Sequence, residues 1–351
     1  MAARMATKRK PINLALQGGG AHGAFTWGVL DYLLEDGRLD ITAISGTSAG
    51  AMNAVALADG YTRGGAEGAR AKLAEFWRAI SDAARFSPIR RSLVDRLMGN
   101  WSLDGSPGFH AMDALTRLAS PYQLNPLNMN PLRDILEKTI DFECVRSCDA
   151  IRLFISATNV ETGRVKVFDS NEMNADMIMA SACLPFMFQA VEIDGVPYWD
   201  GGYMGNPSLF PFFHGSECAD VVIVQINPIE RKGVPKTASE IQNRINEIAF
   251  NASLLKELRA VDFVARLIEA GRLNADDYKR VRMHRIHNQD ALNPLGASSK
   301  MNSEWSFLTH LRDIGRDTAA DWLSRHFDDI GRSDTANIRA MFQGRDAELT
   351  H

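Results

Sequence analysis

The sequence predicts an α/β fold with a mostly parallel central sheet and helices on both of its faces. Three observations predict it. Four short apolar runs, "INLALQ" (12–17), "ITAIS" (41–45), "IRLFISAT" (151–158) and "DVVIVQI" (220–226), have the near-continuous β-rich character of strands buried on both sides. Helical patterns lie between them. The first two runs enclose one such pattern within about 35 residues, which makes a βαβ unit and hence a parallel pair.

The elements follow in order. "AFTWGVLDYLLEDG" sets Phe25, Val29, Leu30, Leu33 and Leu34 at helical spacing and stops at Gly37, a residue free to close a helix with positive φ. "QAVEIDGVPYW" (189–199) reads as a hairpin around Asp194-Gly195, a pair suited to a tight primed turn. From 85 to 131, prolines, asparagines and two short helices break the α/β rhythm and mark an insertion. A long amphipathic helix is expected over roughly 238–270, with Ile241, Ile245, Ile248, Ala252, Leu255 and Leu258 on one stripe, and another over roughly 303–327. The expected organisation is a basic tail (1–10), a catalytic domain (11–228) holding the insertion, a helical extension (229–330) packed on the same domain, and a tail (331–351).

Composition narrows the classes. In 351 residues, 45% hydrophobic and 23% charged side chains suit a soluble globular protein, and a net charge of −4 offers no footprint for nucleic acid. Cys144, Cys148, Cys183 and Cys218 form no CxxC pair, so they read as reduced cytosolic thiols and not as zinc ligands. The basic start "MAARMATKRK" leads into no long apolar run, so no signal peptide is expected. No stretch reaches the roughly 18 apolar residues of a membrane span. The expectation is a cytoplasmic protein, with peripheral membrane contact left open.

Two glycine motifs carry the chemistry. "QGGGAHG" follows the first strand and opens the first helix, and Gly18, Gly20 and Gly23 fit G-x-G-x-x-G. A dinucleotide site also needs an acid at the end of the second strand, but Asp40 stands at its beginning. The alternative is an anion site, because the first amides of a helix lack internal partners and lie at its positive end. Such a loop serves the oxyanion of an ester transition state. "AISGTSAGA" (43–51) then places Ser48 between Gly46 and Gly50 at a strand-to-helix junction, the pattern of a nucleophile elbow. The plain alternative makes Ser48 an ordinary residue at a helix start.

A serine hydroxyl needs a base. His284 and His287, in "RVRMHRIHNQ", are the best candidates for a triad, yet they alternate along a strand-like basic stretch that explains them as well. Asp200, in "VPYWDGGYMGNP", is the stronger candidate. It closes the second hairpin strand, and Gly201-Gly202 give it a turn open enough to reach another loop.

These blocks together resemble the patatin-like phospholipases, lipid acyl hydrolases with a Ser–Asp dyad. "GGGAHG" (18–23) corresponds to the oxyanion loop, "GTSAG" (46–50) to the elbow and "DGG" (200–202) to the acid block, while "ASACLPFMF" (180–188) is similar to a stretch preceding the acid. The resemblance implies a three-layer patatin-like fold, Ser48 as nucleophile, Asp200 as base, and an oxyanion hole from Gly18, Gly19, Gly20, Ala21 and Gly23. It implies no metal or cofactor and an acyl-ester lipid as substrate. One departure stands out: many members carry Arg or Lys where this chain has His22, which weakens the positive field of the loop. Residues 230–351 match nothing in that pattern.

Two further features bear on substrate. "SPIRRSLVDRLMG" (87–99) sets Ile89, Leu93 and Leu97 against Arg90, Arg91 and Arg96; it is expected to cover the core, with an interfacial lid as the other reading. Phe186, Phe188, Phe210, Phe212 and Phe213 flank the acid block as core or as acyl pocket. A short-chain carboxylesterase, an acyltransferase and a dinucleotide-binding oxidoreductase are the rival functions.

Overall fold

The computed structural model describes residues 9–274 and 277–344. Most of the expected basic tail, the last residues of the expected C-terminal tail and His351 lie outside the described residues. One mixed sheet of eight strands organises the chain, in the order β5-β6-β3-β2-β1-β7-β8 with β4 also beside β3. The strands are β1 (Lys10–Leu16), β2 (Leu39–Gly46), β3 (Arg152–Asn159), β4 (Val165–Asp169), β5 (Val191–Ile193), β6 (Val196–Asp200), β7 (Asp220–Val224) and β8 (Arg282–Ile286). The pairs β1–β2, β2–β3, β1–β7 and β7–β8 are parallel, whereas β3–β4, β3–β6 and β5–β6 are antiparallel.

The alternation of side chains along each strand builds two cores, one per face. Ile12, Leu14 and Leu16 of β1, with Val222 and Val224 of β7, join the larger core under α1 (Gly23–Asp36), α2 (Ala49–Ala83) and the helix Trp305–His326. Ala15, Val221 and Ile223 point the other way, toward Leu254, Leu258 and Val261 of the helix Ala238–Glu269. This is the three-layer α/β arrangement that the apolar runs predict. The first helix stops at Gly37 in the left-handed conformation (φ 70°). The hairpin turns at Asp194 and Gly195, both with positive φ (51° and 76°), and pairs Ile193 with Val196.

Three expectations need correction. The helix Ala238–Glu269 forms, but the stripe assigned to it is only half right: Ile241, Ile245 and Ile248 are exposed. Its buried stripe runs Glu247, Asn251, Leu254, Leu258 and Val261, because the first half of that face lies over a polar network and only the second half over the core. The stretch 229–330 is not purely helical, since β8 lies within it and pairs along the whole of β7. The segment 87–99 leaves Leu97, on its expected apolar side, exposed, so that this residue does not cover the core. Its helix spans only Leu93–Leu97; Val94, Leu97 and Met98 are exposed, while Arg91 ion-pairs with Glu304 at 2.7 Å and stacks on Trp101.

Candidate active site

Parallel strands bring their carboxyl ends to one edge, where loops carry the side chains with chemistry. At the end of β2 the chain turns sharply into α2. Ser48 sits at the bend with φ 53° and ψ −118°, a conformation that costs a non-glycine residue about 1–3 kcal/mol. The surroundings hold it there: Ser48 N–H donates to Ser181 Oγ at 2.9 Å, and Thr47 Oγ1 donates to the Gly205 carbonyl at 2.6 Å. The arms of the turn pass so closely that a Cβ on Gly46 would lie 2.8 Å from the Gly50 carbonyl carbon.

The glycine loop leaves β1 beside this turn. A Cβ on Gly18 would lie 2.8 Å from the Thr47 carbonyl oxygen and 2.9 Å from Ser48 Cβ, so only glycine lets the two loops approach. The loop is fixed from behind by amide side chains. Gln17 Oε1 accepts from the N–H groups of Ile226 (3.0 Å) and Asn227 (2.9 Å), and Asn227 Nδ2 donates to the Gly18 carbonyl at 2.6 Å.

Five loop residues were expected to supply oxyanion donors, and the structure separates them. The Gly18 N–H donates to Asn206 Oδ1 at 2.7 Å, and the Gly23 N–H bonds the carbonyls of Ala21 and Gly20, so neither amide is available. No described residue accepts from the amides of Gly19, Gly20 and Ala21, nor from that of Ala49 at the start of α2. Those four face no internal competitor.

Asp200 ends β6, where it pairs with Ala157 of β3. Its N–H donates to the Cys183 carbonyl at 2.8 Å and its carbonyl accepts from Thr158 Oγ1 at 2.8 Å. The carboxylate is only 1% exposed and accepts from Gly202 N–H at 2.7 Å. Burial pushes its pKa up to about 7; the Gly202 bond, the Ser48 hydroxyl and the charge of Lys300 pull the other way. A carboxylate titrating there is a far better base than an exposed aspartate, whose pKa is about 3.9.

The histidines lie elsewhere. His284 is buried and engaged on both ring nitrogens, with Asp220 Oδ1 and Thr335 Oγ1 each at 3.0 Å. His287 lines a separate cavity of about 160 Å³ with Arg285 and Asn288, and burial depresses its pKa to about 4. His22 is engaged by Ser299 Oγ at 2.8 Å. Sequence reasoning missed Gln17, Asn206, Asn227 and Lys300, polar residues without a periodic signal. No cluster of three or more His, Cys, Asp or Glu placed to hold a metal occurs among the described residues.

A mostly parallel three-layer sheet with a serine at a strained strand-to-helix bend and a glycine loop beside it defines the α/β class with a nucleophile-elbow architecture. Within that class, the patatin-like phospholipase family model matches residues 14–213, and the chain belongs to that family. The matched span includes the glycine loop, Ser48 and Asp200, and membership implies lipid acyl hydrolase activity. Among solved structures, VipD from Legionella pneumophila is 14% identical with a TM-score of 0.40, over 91% of this chain and 67% of that one. The type III effector protein ExoU is 15% identical with a TM-score of 0.31, over 91% of this chain and 54% of that one. No curated protein matches the chain. No helix among the described residues is long and apolar enough to cross a membrane.

Proposed function

We propose that the protein is a serine-dependent lipid acyl hydrolase, of phospholipase A or lysophospholipase type, working through a Ser48–Asp200 dyad. The reading is supported by one arrangement: a serine at a strained strand-to-helix bend, and a buried carboxylate whose pKa burial raises to about 7 while the Ser48 hydroxyl lowers it. Ser48 Oγ attacks the acyl carbonyl while its proton passes to Asp200. The oxyanion takes hydrogen bonds from the free amides of Gly19, Gly20 and Ala21, each worth roughly 3–4 kcal/mol in comparable sites. Asp200 gives the proton to the departing alcohol oxygen as the carbon–oxygen bond breaks, leaving an acyl-enzyme. Water then attacks the acyl carbon, Asp200 accepts its proton, and the same proton returns to Ser48 as the fatty acid leaves.

A cavity of about 720 Å³ whose lining includes Trp199 and Tyr203, close to Asp200 in the chain, supports a lipid over a small ester. Leu118, Pro121, Pro185, Phe186, Trp199 and Tyr203 line it, and Leu118 and Phe186 are 84% and 64% exposed at its rim. Phe212, by contrast, is plain core against Phe154. With Val94, Leu97, Met98, Leu127 and Met129 also exposed, the insertion offers an apolar surface for peripheral contact with a bilayer.

Hydrolysis rates over a series of acyl lengths, below and above micelle formation, test the reading. A rise of at least tenfold on micelle formation, lost in Phe186→Glu, is expected. Equal rates on monomeric short-chain esters would favour a carboxylesterase, and ester products formed with added alcohols would favour an acyltransferase.

A further inference from the structure

The glycine loop needs positive potential where negative charge develops, and its own titratable residue does not provide it. His22 is 3% exposed, and burial, with Lys300 and Arg231 adding to it, holds the ring's pKa well below 6.5. The imidazole is neutral at neutral pH. The residue after its partner Ser299, however, is a lysine. Lys300 lies in the turn Ser298–Met301, which packs on the loop, and a Cβ on Gly20 would lie 3.3 Å from Lys300 Cβ. The Lys300 ammonium donates to Asn227 Oδ1 at 2.8 Å, and Asn227 Nδ2 donates to the Gly18 carbonyl at 2.6 Å. Ammonium, amide and loop thus form one hydrogen-bonded chain. No carboxylate among the described residues ion-pairs with that ammonium.

We propose that the Lys300 ammonium, tied through Asn227 to the glycine loop, is the resident cation of the reacting centre. The inference rests on Ser48 and Asp200 being the reacting pair. A half-buried ammonium without a partner carboxylate costs the fold some hydration, and such charges concentrate where chemistry uses them.

The groups around the pair fix the sign of the effect. Burial lowers the pKa of Lys300, Glu247 and Asp200 pull it back up, and Arg231 lowers it further. The Gly202 amide, the Ser48 hydroxyl and the charge of Lys300 favour the Asp200 anion. The Cys183 thiol and Tyr203 phenol also feel the carboxylate, and burial pushes each up to about 12, so both remain neutral near pH 7. Lys300 is therefore a cation that opposes part of the desolvation of Asp200. Without it, protonation of Asp200 persists to higher pH. With its charge present, the same ammonium stabilises the anion that forms over the loop.

The test is the pH dependence of kcat/KM and of the fluorophosphonate labelling rate in wild type, Lys300→Met and Lys300→Arg. Rates are taken per mole of folded protein, measured by circular dichroism at each pH, so partial instability of a variant leaves the midpoint readable. The acid-side midpoint should rise by about one pH unit in Lys300→Met, as for loss of a nearby opposite charge, and return toward wild type in Lys300→Arg. An unmoved midpoint in Lys300→Met, with Ser48 still labelled, would overturn this inference alone. Should Lys300→Met fail to fold, Lys300→Arg decides: its guanidinium stays charged where a desolvated lysine loses its proton, so its alkaline plateau should extend beyond wild type. Identical alkaline limbs would then overturn the inference. Labelling that survives in Ser48→Ala would bring down the dyad reading and this inference with it.

Discussion

Ser48→Ala protein will take up no fluorophosphonate label and will lose acyl-ester turnover on the order of 10⁶-fold, the scale seen when the nucleophile of a serine hydrolase is removed. The fold should survive the change. Ser48 makes no side-chain cap to α2, and its backbone is held by Ser181 and by Thr47 on the other side of the bend, so an alanine there inherits the same supports. Thermal unfolding within about 2 °C of wild type would show that the loss is chemical, since a small change in stability shifts Tm little in a chain of this size. Labelling of the alanine variant would place the nucleophile elsewhere.

The second large effect is expected in Asp200→Asn. An amide cannot accept the serine proton, so kcat should fall by about 10³–10⁴. The pH behaviour gives an independent reading. Wild-type kcat/KM should decline as pH drops through about 7, because only the anion is a base. Stability should move in the opposite sense. An unfolded aspartate titrates at about 3.9, whereas the buried one titrates at about 7, so between those values the folded state holds a proton that the unfolded chain has released. Wild-type stability therefore falls as pH rises through that window, and Asp200→Asn escapes the fall. Its Tm should exceed that of wild type at pH 8 and differ less at pH 4. His284→Ala, which breaks a buried contact to Asp220 and Thr335, should lower Tm and leave kcat largely intact. A kcat loss matching that of Asp200→Asn in either His284→Ala or His287→Ala would replace the pair with a triad.

Much of this was legible in the sequence because the signals were local. Gly46, Ser48 and Gly50 lie within five residues, and steric demand at a strand-to-helix bend dictates those residue types. Asp194-Gly195 announced its turn for the same reason. The buried side of the helix Ala238–Glu269 was misread because periodicity finds apolar stripes. The face that was buried begins with Glu247 and Asn251, which answer Arg231 and Gln17 across the structure. Lys300 was illegible for a related reason. It reaches Asn227 across 73 residues, and its charge acquires meaning only through what it neighbours. Gly18 and Gly23 were grouped with the donors because spacing cannot tell a free amide from one already engaged.

The pairing of β8 along β7 has a consequence for any attempt to trim the chain to its recognisable part. A fragment ending after residue 213 would lack both strands and leave β1 as a bare rim of the sheet, with the unanswered amides and carbonyls of Asn13–Leu16 open to a neighbouring copy. The last third of the polypeptide thus acts as a selvedge, closing a border that would otherwise ravel into aggregates.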